Sequence, residues 1–178
     1  MTVQTPAQTP AKGRSARPIL SVVASMVVLG TALGGCSIFH RQTEQECMER
    51  AMYFESNRSS RDGMIAVGSV VMNRVESRQY PNTVCAVVGQ KNQFAPRVLK
   101  RRMPPNAKVQ EAAASVLRGE RHPYIANAQF FHTAGHRFRY DNMHYVLVTG
   151  GNAFYERRPR NQVTQSVPPP AIEGITGY

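Results

Sequence analysis

One carboxylate in this sequence stands where chemistry could use it. Thr43 precedes Glu46 by three residues, the pattern of a capping box at a helix start. From there Met48, Met52 and Glu55 recur at i, i+4 and i+7 and share one helical face. Cys47, Ala51 and Phe54 line the face beside it. Glu55 therefore falls on an apolar stripe near the C-terminal end of its helix. Burial and the negative end of the helix dipole both disfavour an ionised carboxylate. A carboxyl kept protonated near neutral pH is what glycoside cleavage asks of a general acid. The competing reading is a helix-boundary Glu that turns to water.

Other chemistries fit less well. The five histidines invite a metal reading, and His132 and His136 have H-x-x-x-H spacing. That pair falls across a strand end and a Gly loop, and the Glu of H-E-x-x-H is absent. No metal ligand and no cofactor is expected, and His132 reads as a hydrogen-bonding residue of a cleft or as a structural histidine. No serine has G-x-S-x-G context.

The elements that must position Glu55 follow from capping and periodicity. Ser59 or Ser60 can cap a second helix, in which Met64, Val67, Gly68, Val71 and Val75 form one stripe widened by Ile65 and Met72. Asp62, the nearest downstream acid, reads as a helix-start residue. Pro81 bars continuation, and Asn82 or Thr83 can cap a short helix from Val84 to Val88. Asn106 caps a further helix with Val109, Ala112, Ala113, Val116 and Leu117 on one face and Gly119 as its stop. Segments 128–133 and 144–149 read as strands, with a third at 152–155. Helices beside a small antiparallel sheet give an α+β domain. Residues 159–178, with Pro168-Pro169-Pro170, read as a disordered tail.

Several motifs resemble one family. Tyr53-Phe54-Glu55, Gly63-x-Ile65-Ala66-Val67, Val70-Val71-x-Asn73-Arg74-Val75, the run from Tyr80 to Gln90, Gln93-Phe94, Phe131-His132 and Phe154-Tyr155 look like the SleB-type cell-wall hydrolases. The resemblance spans roughly residues 45–157 and implies a lysozyme- or lytic-transglycosylase-like domain at 44–158. It implies Glu55 as the catalytic acid and Tyr53, Gln93, Phe94, His132, Asn152 and Tyr155 as substrate-binding residues. The implied substrate is peptidoglycan glycan. The chain departs from the pattern in four places. Ser56-Asn57-Arg58-Ser59 stands where the family has Ala-Arg-Gly-Glu. The family's Trp after Gln-Phe is replaced around Ala95-Pro96. The late Trp is missing too, since the chain has no Trp, and Tyr140 is the candidate substitute. Asn152 stands where His is common.

The N-terminal segment carries an address. Lys12, Arg14 and Arg17 precede an apolar run from Ile19 to Gly35, the layout of a secretory signal over 1–35. Leu33-Gly34-Gly35-Cys36 resembles the lipobox of bacterial lipoproteins, which implies lipidation of Cys36 and a tether over 36–43. A short transmembrane anchor is the competing reading. Ser37 after the cysteine implies outer- rather than inner-membrane sorting.

The mature chain would keep 19 Lys and Arg against 11 Asp and Glu, a net +8, from +11 for the whole sequence. Such a charge attracts anionic polymers and lipid. Export and the lack of a nucleic-acid module argue against nucleic acid. With Cys36 used by lipid, Cys47 and Cys85 remain. An exported pair favours a disulfide over two separate buried thiols.

The expectation is a lipid-anchored, monomeric envelope enzyme that faces the periplasm and cuts glycan strands of peptidoglycan as a lytic transglycosylase or muramidase. The rival readings are a non-catalytic peptidoglycan-binding lipoprotein and an N-acetylmuramoyl amidase.

Overall fold

A computed structural model describes residues 41–177 apart from 57 and 59. The signal segment 1–35, Cys36 and most of the tether lie outside the described residues. Among the described residues no helix is long and apolar enough to cross a membrane.

Among the described residues four helices come first: α1 (Glu44–Glu55), α2 (Arg61–Val75), α3 (Val84–Val88) and α4 (Ala107–Leu117). Each starts where a side chain can satisfy its orphan amides. Thr43 and Glu46 form a reciprocal capping box on α1, Ser60 accepts from the Gly63 N–H, Thr83 from Ala86 and Asn106 from Val109.

The core lies where α1, α2 and α4 meet. Met48, Met52, Met64, Ile65, Val67, Val71, Ala112 and Val116 are fully buried there. Gly68 makes the close approach possible: a Cβ there would stand 2.4 Å from the Met52 Cε and 3.0 Å from a Val116 methyl. Helix α2 is covered on nearly all sides rather than along one stripe, since Arg61, Asp62, Ser69 and Arg74 are buried with its apolar residues. Arg61 closes α2 onto α4 by ion pairs to Glu111 at 3.0 Å and Glu120 at 2.6 Å.

The expected disulfide is present. Cys47 of α1 is bonded to Cys85 of α3, with Cα atoms 5.1 Å apart.

Three strands complete the domain: β1 (Phe130–Thr133), β2 (Met143–Thr149) and β3 (Asn152–Arg157). They form an antiparallel sheet in the order β1-β3-β2. The β2–β3 hairpin turns on Gly150 and Gly151, with φ of 57° and 79°. A two-residue turn of this hand needs positive φ at both positions. Gly150 also lies against Gly63, where a Cβ would come within 2.4 Å of the Gly63 Cα. That contact sets the hairpin on the start of α2.

Residues 159–177 depart from the reading of a disordered tail. After a 3-10 turn at Arg160–Gln162 the segment runs along the domain. Gln165 O accepts from Tyr145 N at 2.9 Å, and Ile172 N donates to Val148 O at 3.0 Å. Glu173 accepts from Gly150 N at 2.6 Å and from Ser60 Oγ at 2.5 Å. Its prolines remove donors and fix φ, which suits an extended strap pinned at a few points. Composition alone reads such a segment as unable to fold because its partners are far away in sequence.

Candidate active site

Glu55 is the last residue of α1, and Ser56 ends the helix. Ser56 leaves helical geometry, and its N–H and Oγ both return to the Met52 carbonyl, at 3.0 and 2.6 Å. The carbonyl of Glu55 itself accepts from Asn152 Nδ2 at 2.8 Å. The side chain is half-buried, and its Oε1 accepts from the Ala95 N–H at 2.5 Å. Burial pushes the Glu55 carboxyl above the usual carboxylate range; the Ala95 amide and then the Arg101 and Arg74 cations oppose that shift. The expected elevation is therefore found, with burial as its cause.

Arg74 is the feature that reading the sequence for sites missed. It is 3 % exposed, and its Nε donates to Gln129 O at 2.8 Å. Its Nη1 is buried with no hydrogen-bond partner among the described residues. The guanidinium lies 5.4 Å from the Tyr80 ring centroid, 5.3 Å from Phe94 and 6.0 Å from Phe130. Burial lowers its pKa, while Tyr80, Tyr155 and Glu55 raise it. A cation in a ring cage of this kind is held by the negative faces of the rings. The available signal was spacing: Val67, Val71 and Arg74 fall at i, i+4 and i+7, so a charge sits on an apolar stripe. Arg101, from the basic run 100–102, likewise reaches electrostatic range of Glu55, and its guanidinium covers the Phe54 ring at 4.2 Å.

The residues that the resemblance nominates divide into groups. Gln93 is exposed and Phe94 is 8 % exposed, and both lead into Ala95, whose amide holds Glu55. Phe94 packs on Phe131 with centroids 6.5 Å apart. Asn152 is 7 % exposed and bonded to the Glu55 backbone. Tyr155 stacks on Phe130 at 5.4 Å and acts electrostatically on Arg74. Tyr53 is two residues from Glu55, a spacing that does not face it on a helix; its ring carries the Arg58 guanidinium at 4.5 Å. His132 lies in an aromatic group with Phe138, Tyr145 and Tyr155. Its Nδ1 is 2.9 Å from the Thr133 carbonyl, which assigns the proton to Nδ1 and leaves Nε2 to accept from Tyr145 OH at 2.8 Å. Tyr140, the candidate for the missing Trp, is 68 % exposed and stacks on Phe138 with centroids 6.0 Å apart.

Two other carboxylates are already engaged. Asp62 is 2 % exposed and accepts from Ile175 N at 2.9 Å and from the backbone and hydroxyl of Thr176. Glu156 accepts from Asn127 N at 3.1 Å and pairs with Arg158 at 2.8 Å.

The cell wall hydrolase family profile matches residues 58–155, more than half of the sequence. The chain belongs to the cell wall hydrolase family. The matched span starts three residues beyond Glu55, so the candidate acid lies outside it. Two solved structures share the family fold. One is the catalytic domain of the germination-specific lytic transglycosylase SleB from Bacillus anthracis, 25% identical with a TM-score of 0.55, covering 67% of this chain and 98% of that one. The other is the catalytic domain of the Bacillus cereus SleB protein, also 25% identical with a TM-score of 0.55, covering 64% and 89%. No curated protein matches the chain. The cell wall hydrolase domain is thus a helix-rich, lysozyme-like α+β unit with a three-stranded antiparallel sheet, as the sequence implied.

Proposed function

We propose that this cell wall hydrolase cuts the glycan strand of peptidoglycan by the transglycosylase route, with Glu55 as its one catalytic carboxyl. The observation that carries the reading is the half-buried Glu55 carboxyl, raised in pKa and held at one oxygen by the Ala95 amide. The protonated form gives its proton to the glycosidic oxygen as the bond to the anomeric carbon breaks. The resulting carboxylate takes the proton of the muramic 6-hydroxyl, whose oxygen closes on the anomeric carbon. One carboxyl thus serves both steps and ends as it began, with an anhydro-sugar end on the product and no water consumed. Arg74 and Arg101 favour the carboxylate that exists between the steps.

A hydrolase normally uses two carboxyl groups, about 5–5.5 Å apart for retention or about 6.5–9.5 Å for inversion. Asp62 and Glu156 are each bound up in other contacts, which favours the single-acid route.

The envelope location belongs to the same proposal: export, lipid on Cys36 and an outer-membrane anchor facing the periplasm. The Cys47–Cys85 disulfide supports an oxidising compartment.

The test is mass analysis of the soluble products released from purified peptidoglycan. Anhydro-muropeptides from the wild type, and almost none from Glu55→Gln, are expected. Reducing-end products would assign a muramidase, and bound wall with no release at any pH would assign a non-catalytic binder.

A further inference from the structure

A second feature lies beside the Glu55 site. A cleft of about 710 Å³ is walled by Gln79, Gln90, Gln93, Asn127, Gln129 and Arg157, among others. Five of these side chains are carboxamides. A carboxamide carries a donor and an acceptor together, the complement of a peptide bond's own C=O and N–H, though Gln129 already donates through Nε2 to the Asn73 carbonyl at 3.4 Å. The Oε1 of Gln90 is buried with no hydrogen-bond partner among the described residues. Such an acceptor costs free energy until a donor reaches it. Glu156 also borders the cleft but is taken up by Arg158 and the Asn127 amide. Arg157 is exposed and contributes positive charge that suits a ligand carboxylate.

The two aromatic walls argue against a sugar ring here. A pyranose binds an aromatic residue by lying on an open ring face. Phe130 has the Arg157 guanidinium 4.5 Å over its ring and Tyr155 stacked at 5.4 Å. Tyr80 has the Arg74 guanidinium at 5.4 Å. What the cleft offers is hydrogen bonding and a cation rather than a stacking platform.

The cleft also adjoins the reacting centre. Tyr80 and Phe130 belong to the cage around Arg74, which acts electrostatically on Glu55. Gln93 is two residues from Ala95, whose amide holds the Glu55 carboxyl.

We propose that this cleft holds the peptide stem that branches from the muramic sugar, with the carboxamides pairing its amides and Arg157 taking one of its carboxylates. The inference rests on the reading of the substrate as peptidoglycan glycan. It makes the enzyme selective for stem-bearing strands over strands stripped of peptide.

Titration calorimetry of the mature protein tests it with three probes: a disaccharide with a muramic reducing end that carries a tetrapeptide, the same disaccharide with its lactyl group capped as a simple amide, and the free tetrapeptide. The stem-bearing disaccharide should bind about tenfold more tightly than the capped one, the gain of roughly one charge-assisted contact set. Arg157→Ala should bring the two together, and Arg157→Lys should keep part of the difference. Equal affinities for wild type, or equal weakening of both disaccharides by Arg157→Ala, would overturn the stem site. Turnover plays no part in this assay. An active Glu55→Gln would overturn the proposed catalyst and leave a stem preference standing, whereas equal affinities would remove the stem site and leave the catalyst.

Discussion

Asn152 at the start of β3 donates its Nδ2 to the backbone carbonyl of Glu55 at 2.8 Å, and so ties the sheet to the last turn of α1. The bond satisfies one of the carbonyls that every helix end leaves orphaned. It fixes the peptide from which the candidate acid projects. Asn152→Ala should destabilise the domain by about 1–3 kcal/mol, because the part-buried acceptor loses its donor. Asn152→Asp should cost at least as much, since it sets a carboxylate against a carbonyl. Chemical denaturation orders the three proteins. An alanine variant as stable as wild type would mean that the contact contributes nothing.

Glu55 has a pH signature in stability as well as in activity. Its folded-state pKa is raised by burial, so the folded protein holds its proton to higher pH than the unfolded chain does. Stability contributed by this group therefore falls as pH rises from the unfolded value through the folded one. Glu55→Gln, which cannot ionise, should be more stable than wild type at pH 7, and that advantage should shrink below the ordinary carboxylate range. Thermal melts at the two pH values check it. Activity should fall over the same rise in pH, as the proton donor is lost. Arg74→Gln should move that fall to higher pH, because a cation that favours the carboxylate is gone.

Much of this arrangement was legible in the sequence because its signals are local. Thr43, Ser60, Thr83 and Asn106 each cap the helix that starts after them, and such caps act within three residues. The Glu55 stripe and the Gly-rich turn between two β-rich runs are local too. Arg74 was illegible as a site residue because its cage comes from Tyr80, Phe94 and Phe130, which only the fold brings together. The strap at 163–177 was illegible for a similar reason. Its polar, Pro-rich composition lacks a core, but its anchors are Asp62, Gly150 and Ser60, about a hundred residues away for two of them.

The Cys47–Cys85 bond joins α1 to α3 across a sequence separation of 38. In the chain-entropy account, a loop of that size contributes about 4 kcal/mol by restricting the unfolded chain. Reduction should lower the denaturation midpoint accordingly, and Cys47→Ala/Cys85→Ala should reproduce the loss without reductant. Unchanged midpoints in both would mean that helix packing alone holds α3 in place.

Asp62 separates the structural acid from the catalytic one. Its burial would raise its pKa, but the Thr176 hydroxyl and the Ile175 and Thr176 amides together hold it below the usual carboxylate range. A depressed carboxylate gives stability that is present above its unfolded pKa and is lost as pH falls through the folded value. The strap should therefore loosen in acid, and limited proteolysis should cut within 163–177 at low pH before the domain unfolds. Asp62→Asn should give the same early cleavage at pH 7, at a cost of about 3 kcal/mol for bonds to a buried charged acceptor. That exceeds the ~1 kcal/mol of a plain helix-start residue. The variant should still release anhydro-muropeptides at moderate temperature, since Glu55 and its neighbours Ala95, Arg74 and Arg101 keep their contacts. If Asp62→Asn is folded yet as inactive as Glu55→Gln, the single-acid route is wrong and a two-carboxyl hydrolase is the better account.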